Sequence, residues 1–201
     1  MLAKLYRPIY TRLMFPIGVF SARLGLTANF WTAASLVLAA VSGFLLYQGR
    51  IIAGAVFAVL MNLADVLDGA TARASETAGP FGTVLDHTID RYAEFMLLGG
   101  LLVGGWVPAG PLFFAATGMI MASYVRAKGE SAGGLAAVLV GITGRAEKMF
   151  LFYFALAALA FGFPLAAEVL FWIIGGLSHF TALQRLLYTR AEIQAQKRSA
   201  P

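Results

Sequence analysis

Residues 29–47 read NFWTAASLVLAAVSGFLLY, an apolar run without a single charged side chain. A helix needs roughly 20 such residues to cross the hydrocarbon core of a bilayer, so this run predicts a transmembrane helix. Working outward from it, five further stretches are long enough, or nearly so, to cross: residues 51–67, 88–107, 108–125, 148–161 and 165–187. Turn residues at Gln48-Gly49-Arg50, Val107-Pro108-Ala109-Gly110 and Gly162-Phe163-Pro164 mark breaks between them. The bulk composition agrees. Apolar residues make up 60% of the chain and charged residues 12%, against roughly 45–50% and about 25% in soluble domains. The expected fold is all-α, a polytopic membrane protein with six transmembrane helices.

Charge placement orients it. Of 15 Lys and Arg residues, only Arg50 falls in the turns after spans one, three and five. The others gather in the N-terminal segment, around the loops after spans two and four, and near the C-terminus. By the positive-inside rule this places both termini, and those two loops, at the cytoplasmic face of the cell membrane. It also accounts for the net charge of +5 without nucleic acid as a partner. Leu2, Leu5, Ile9, Leu13, Ile17, Phe20 and Leu24 recur at helical spacing, with Lys4, Arg7, Arg12 and Arg23 between them. That pattern predicts an amphipathic helix on the membrane surface against anionic lipid, interrupted at Pro8 and Pro16. The organisation expected is a juxtamembrane helix over residues 1–28, a six-helix catalytic domain over 29–190 and a cytoplasmic tail over 191–201, disordered from Gln194 on. No cysteine is present, which excludes disulfides and thiol chemistry, and two isolated histidines do not make a His-rich metal site. Trp31, Tyr47 and Trp106 read as interfacial anchors, and Gly100-x-x-x-Gly104 as a close helix-packing motif.

The chemistry concentrates in one place. Of ten acidic residues, six lie between Asp65 and Glu94. Asp65 and Asp68 are three apart and Asp86 and Asp90 four apart, so each pair shares a helix face. A loop over about 74–83 would make the two helices antiparallel neighbours and bring the four aspartates together. Ionisable groups at membrane depth are candidates for function, and an all-oxygen cluster selects a hard divalent cation, Mg²⁺, Mn²⁺ or Ca²⁺. Four carboxylates suffice for two ions, an arrangement suited to phosphoryl transfer. Gly69 and Gly82 would let a ligand approach the backbone, Ala70 and Ala72 keep the stretch narrow, and Arg73 can pair with phosphate oxygens.

Asp65-x-x-Asp68-Gly69-x-x-Ala72-Arg73, then eight residues, then Gly82-x-x-x-Asp86-x-x-x-Asp90 resembles the signature of the CDP-alcohol phosphotransferase family, with every position and spacing present. The resemblance extends over essentially the whole chain. It implies an enzyme of phospholipid biosynthesis that transfers the phosphatidyl-type group of a CDP-linked lipid to a hydroxyl and releases CMP. It further implies that Asp65, Asp68, Asp86 and Asp90 ligate two divalent cations, Mg²⁺ first and Mn²⁺ second, and that Asp90 is the general base. Asp65, Asp68, Gly69, Ala72, Arg73 and Gly82 would then bind the CDP moiety, whether of CDP-diacylglycerol or of CDP-archaeol. A homodimer is implied as well.

The acceptor is a small polar alcohol. Arg126, Lys128, Arg145, Lys148 and Arg185 fall at the cytoplasmic ends of later spans, which suits an acceptor that itself carries phosphate. These segments resemble the phosphatidylinositol-phosphate and archaetidylinositol-phosphate synthase branch, which implies inositol phosphate. Two positions depart from that branch: Lys148 stands where arginine is common, and Thr27-Ala28-Asn29 lacks a proline between the threonine and the asparagine. Glycerol 3-phosphate ranks second as acceptor and unphosphorylated alcohols such as serine third. A cation transporter is the alternative from another class, disfavoured because the acids cluster at one membrane face.

Overall fold

The computed structural model describes the backbone of residues 2–199 and the side chains of residues 13–198. Among the described residues there are seven α-helices and no strand: α1 Leu2–Arg23, α2 Ala28–Tyr47, α3 Ile51–Ala74, α4 Pro80–Val103, α5 Ala109–Ser131, α6 Arg145–Ala160 and α7 Pro164–Ser199. They form two compact units, residues 2–106 with α1–α4 and residues 107–199 with α5–α7.

In the first unit, α2 packs on both α3 and α4, while α1 lies on α3. α3 and α4 are each held by α2 rather than by close backbone packing on one another. The buried face of α2 is built from Thr32, Ser35, Ala39, Ser42, Gly43 and Leu46. Small residues dominate because lipid tails are as apolar as leucine: helices associate here by close backbone approach and hydrogen bonds. Ser42 Oγ accordingly donates to the Gly54 carbonyl of α3 at 2.7 Å. The large apolar side chains point the other way. Val37, Phe44 and Val56 are exposed, and Ile52 is 70% exposed. Apolar side chains spread over the outside of a core of small residues are the pattern of a protein solvated by lipid, and this is a membrane protein.

Helix ends follow local chemistry. Thr27 caps α2, its hydroxyl accepting from the Phe30 N–H at 3.2 Å. At the other end Gly49 takes φ 77°, and the Gly49 and Arg50 amides return to the Leu46 and Leu45 carbonyls at 3.0 and 2.9 Å. This is the Schellman closure that glycine favours, and Gly162 repeats it after α6 (φ 80°).

In the second unit α7 packs on α5 and α6. A Cβ at Gly118 of α5 would stand 2.9 Å from the Gly175 carbonyl oxygen of α7. Phe152 and Phe171 meet edge to face at 5.8 Å between α6 and α7, and Phe114 stacks on His179 at 4.7 Å between α5 and α7.

Among the described residues, three helices are long and apolar enough to cross a membrane: Ala28–Tyr47, Ile51–Ala74 and Pro164–Arg198. The other expected spans are all helical but different in make-up. α4 contains Asp86, Asp90, Arg91 and Glu94, α5 intersperses glycine, proline and threonine, and α6 has 16 residues, roughly 24 Å at 1.5 Å per residue.

Three local expectations change. The connection between α3 and α4 is residues 75–79 rather than 74–83, because α3 continues to Ala74 and Pro80 opens α4 at a first-turn position that needs no N–H. The backbone of α1 is helical through both Pro8 and Pro16; the side chains of the first half of its expected apolar stripe, and Lys4, Arg7 and Arg12, lie outside the described residues. The expected disordered tail from Gln194 is helical to Ser199, with 200 and 201 outside the described residues.

Candidate active site

The signature residues lie on the last three turns of α3 and the first three of α4. Asp65, Asp68 and Asp86 each offer a carboxylate oxygen, and these atoms all lie within 4.8 Å of one another. Asp68 is buried, Asp65 and Asp86 half-buried. Three anions at that spacing repel by roughly 3.5 kcal/mol per pair at an effective dielectric constant near 20. The arrangement is therefore one that a hard divalent cation would stabilise, and the donor set, oxygen alone, fits such an ion.

Asp90 is not in that group. It is buried one turn further along α4, with Arg91 Nη2 3.9 Å from its Oδ2. Arg91 also pairs with buried Glu94 through Nη1. The structure thus brings Asp65, Asp68 and Asp86 into one close group, with Asp90 one turn further along α4.

Asp68 is fixed by a residue outside the signature. Thr32 of α2 donates to its Oδ2 at 2.7 Å. Next to it, Trp31 Nε1 donates to Ser21 Oγ of α1 at 2.6 Å, and Thr71 of α3 donates to the same oxygen at 3.1 Å. A Cβ at Gly18 would come within 2.6 Å of the Ala70 backbone. Trp31 therefore ties α2 to α1, where the sequence reading made it an interfacial anchor. Neither Thr32 nor Ser21 was legible as part of the site: a hydroxyl in an apolar helix ordinarily bonds its own carbonyl four residues back.

The glycines divide sharply. Gly18, Gly43 and Gly100 sit where other backbone leaves no room for a side chain. At Gly82 a Cβ would meet nothing within 4 Å, and at Gly69 it would meet only the Arg73 guanidinium, at 3.1 Å. Packing does not demand glycine at either signature position, so the open space beside them is free for a ligand. Ala72 is half-buried and Arg73 exposed at the end of the same helix.

The five basic residues of the second unit expected to bind the acceptor have distinct surroundings. Arg185 of α7 donates through Nε to the Val140 carbonyl at 3.0 Å and through Nη1 to the Ala122 carbonyl at 2.7 Å. It thereby ties the 132–144 loop and α5 to α7. Thr181 and Thr143 reinforce the tie, hydroxyl to hydroxyl at 3.0 Å. Arg126 Nε donates to Glu130 at 3.0 Å, and that same carboxylate oxygen accepts the Val138 N–H at 3.0 Å. Lys128 lies 5.8 Å above the Tyr124 ring. Arg145 and Lys148 occupy the first turn of α6, with Lys148 buried. Cations at a helix N-terminus oppose the helix dipole, so helix stability does not account for them. Glu147, accepting the Gly144 N–H at 2.9 Å, is the favourable charge of that turn.

Comparison with known proteins agrees with this geometry. The model of the family described as CDP-alcohol phosphatidyltransferase matches residues 25–183. The archaetidylinositol phosphate synthase of Pyrococcus horikoshii is 36% identical over 195 residues, covering 96% of this chain and 99% of that one. Its counterpart in Methanothermobacter thermautotrophicus is 31% identical over 183 residues, covering 91% of each. The crystal structure of Mycobacterium tuberculosis phosphatidylinositol phosphate synthase with CDP-DAG bound superposes with a TM-score of 0.77 at 28% identity, over 89% of this chain and 94% of that one. The same enzyme has been solved in complex with manganese and citrate, again with a TM-score of 0.77.

Proposed function

The chain belongs to the CDP-alcohol phosphatidyltransferase family, and from that membership we propose that it joins the phosphatidyl-type group of a CDP-linked lipid to inositol phosphate, releasing CMP. The reaction class, a CDP-alcohol phosphotransferase of phospholipid synthesis, follows from the family. The observation that carries it on this chain is the group of three carboxylates, with Gly82 facing open space and Gly69 approached only by the Arg73 guanidinium.

Asp65, Asp68 and Asp86, joined by Asp90, would hold two divalent cations, Mg²⁺ or Mn²⁺, whose charge offsets that of the diphosphate. Gly69, Ala72, Gly82 and Arg73 bind the CDP moiety, Arg73 through its guanidinium. Asp90 takes the proton of the acceptor hydroxyl. The acceptor oxygen then bonds to the lipid-linked phosphorus as the bond to the CMP oxygen breaks, in line. The donor is CDP-diacylglycerol or CDP-archaeol.

Inositol phosphate as acceptor is supported by the Pyrococcus and Methanothermobacter relatives and by the basic residues Arg126, Lys128, Arg145, Lys148 and Arg185. Arg145 and Lys148 stand in the first turn of α6, where helix amides also favour an anion. In the membrane, α2–α7 make six spans over residues 29–190, residues 1–28 lie along the surface as an amphipathic helix, and residues 191–201 extend into the cytoplasm. Both termini and the active site are cytoplasmic, and the enzyme is a homodimer.

The test is CMP release by purified protein with Mg²⁺ and either CDP-lipid, across inositol 1-phosphate, glycerol 3-phosphate, inositol, glycerol and serine. Release that requires inositol phosphate is expected. Release with glycerol 3-phosphate alone would overturn the acceptor, and no metal-dependent release with any pairing would overturn the reaction.

A further inference from the structure

We infer that Thr32 is a positioning residue for the metal site, its hydroxyl holding the Asp68 carboxylate with one oxygen turned to the cation. The inference rests on the metal-centre reading given above.

Thr32 and Asp68 are 36 residues apart and on different helices, yet both are buried and joined at 2.7 Å. The Thr32 hydroxyl also lies 3.2 Å from the Ala28 carbonyl, the ordinary partner of a helical threonine. One hydroxyl carries one proton. The shorter, charge-assisted contact to a carboxylate is the stronger of the two, so the proton lies towards Asp68. Oδ2 is thereby engaged, and the side chain's torsion is fixed by α2 rather than by α3 alone. Asp68 is then presented to Asp65 and Asp86 in one orientation, within the 4.8 Å group. The helix that supplies Thr32 is itself pinned: Trp31 is bonded to Ser21 of α1, which also accepts from Thr71 of α3. Hydrogen-bond partners of metal ligands set ligand orientation, and their loss typically weakens metal binding by about 10–100-fold.

The experiment is a Mn²⁺ titration of the full-length protein in detergent, without lipid substrate, following free Mn²⁺ by electron paramagnetic resonance. Wild type, Thr32→Val, Thr32→Ser and Asp68→Asn are compared, with metal-free melting curves for each. Thr32→Val, isosteric but without the hydroxyl, should weaken Mn²⁺ binding about 10-fold or more. Thr32→Ser should stay within about threefold of wild type, and Thr32→Ala replaces the valine variant if that fails to fold. Wild-type affinity in Thr32→Val, or equal losses in the valine and serine variants, overturns the positioning role. Wild-type affinity in Asp68→Asn, or no Mn²⁺ binding by wild type, instead overturns the metal centre and this inference with it.

Discussion

Gly43 of α2 and Gly100 of α4 meet backbone to backbone: a Cβ on Gly100 would clash with the Gly43 carbonyl, and one on Gly43 with the Met96 carbonyl. This crossing sets the position of α4, and with it that of Asp86 and Asp90. Gly100→Val should force the helices apart, at a cost of about 1–3 kcal/mol for an overpacked contact. The expected result is a lowered melting temperature with turnover falling alongside it, read by thermal denaturation and CMP release on the same preparation.

Gly82 makes the opposite prediction. It lies in the first turn of α4 with open space around it, and alanine is the better helix former by up to about 1 kcal/mol. Gly82→Ala should therefore leave the melting temperature unchanged or raise it, while KM for the CDP-lipid rises. A stable variant with wild-type KM would show that the open space beside Gly82 is not where the nucleotide lies.

Asp90→Asn should abolish turnover while largely sparing CDP-lipid binding, since the acceptor proton would have no base. Binding of a CDP-lipid analogue by isothermal titration, set beside CMP release, makes the comparison. Wild-type-like turnover would remove Asp90 from that role.

Adding Mn²⁺ to metal-free protein should raise its melting temperature, because the ion relieves repulsion among Asp65, Asp68 and Asp86. At 100 times the dissociation constant the stabilisation is about 2.7 kcal/mol. Asp86→Asn should lose most of that shift, and differential scanning fluorimetry with and without EDTA reads it.

Arg185→Ala should act on stability as well as on substrate. The side chain bonds two carbonyls on different segments, and losing charged hydrogen bonds of this kind costs roughly 2 kcal/mol. Arg126→Ala, whose partner Glu130 is one helical turn away, should shift melting far less. Melting curves of the two variants, alongside KM for inositol 1-phosphate, separate scaffold from pocket.

The apolar runs and turn glycines were enough to locate α2 to α7 in order, because each contains a long apolar run and α2, α4 and α6 close at Gly49, Gly104-Gly105 and Gly162. The signature spacing likewise revealed the convergence of Asp65, Asp68 and Asp86, since residues three or four apart on one helix must share a face. What the sequence hid is contact between helices distant along the chain. Nothing local distinguishes Thr32, which reaches Asp68, from a threonine bonded to its own helix. Nor does spacing say that α2 packs on both α3 and α4, or that Arg185 is held by backbone carbonyls. The first turn of α4 was obscured because Pro80, Gly82 and Thr83 read as loop residues, although α4 opens at Pro80.

The length of α7 has a practical side. Its 36 residues measure about 54 Å at 1.5 Å per residue, against about 30 Å of hydrocarbon. With α7 as a span in the proposed arrangement, about 24 Å of rod stands in headgroups or water. A fluorophore attached at Gln194 would ride on a stiff mast instead of a slack tether, so its distance from the lipid surface should be narrowly distributed and serve as a molecular ruler for tilt of the helix beneath it.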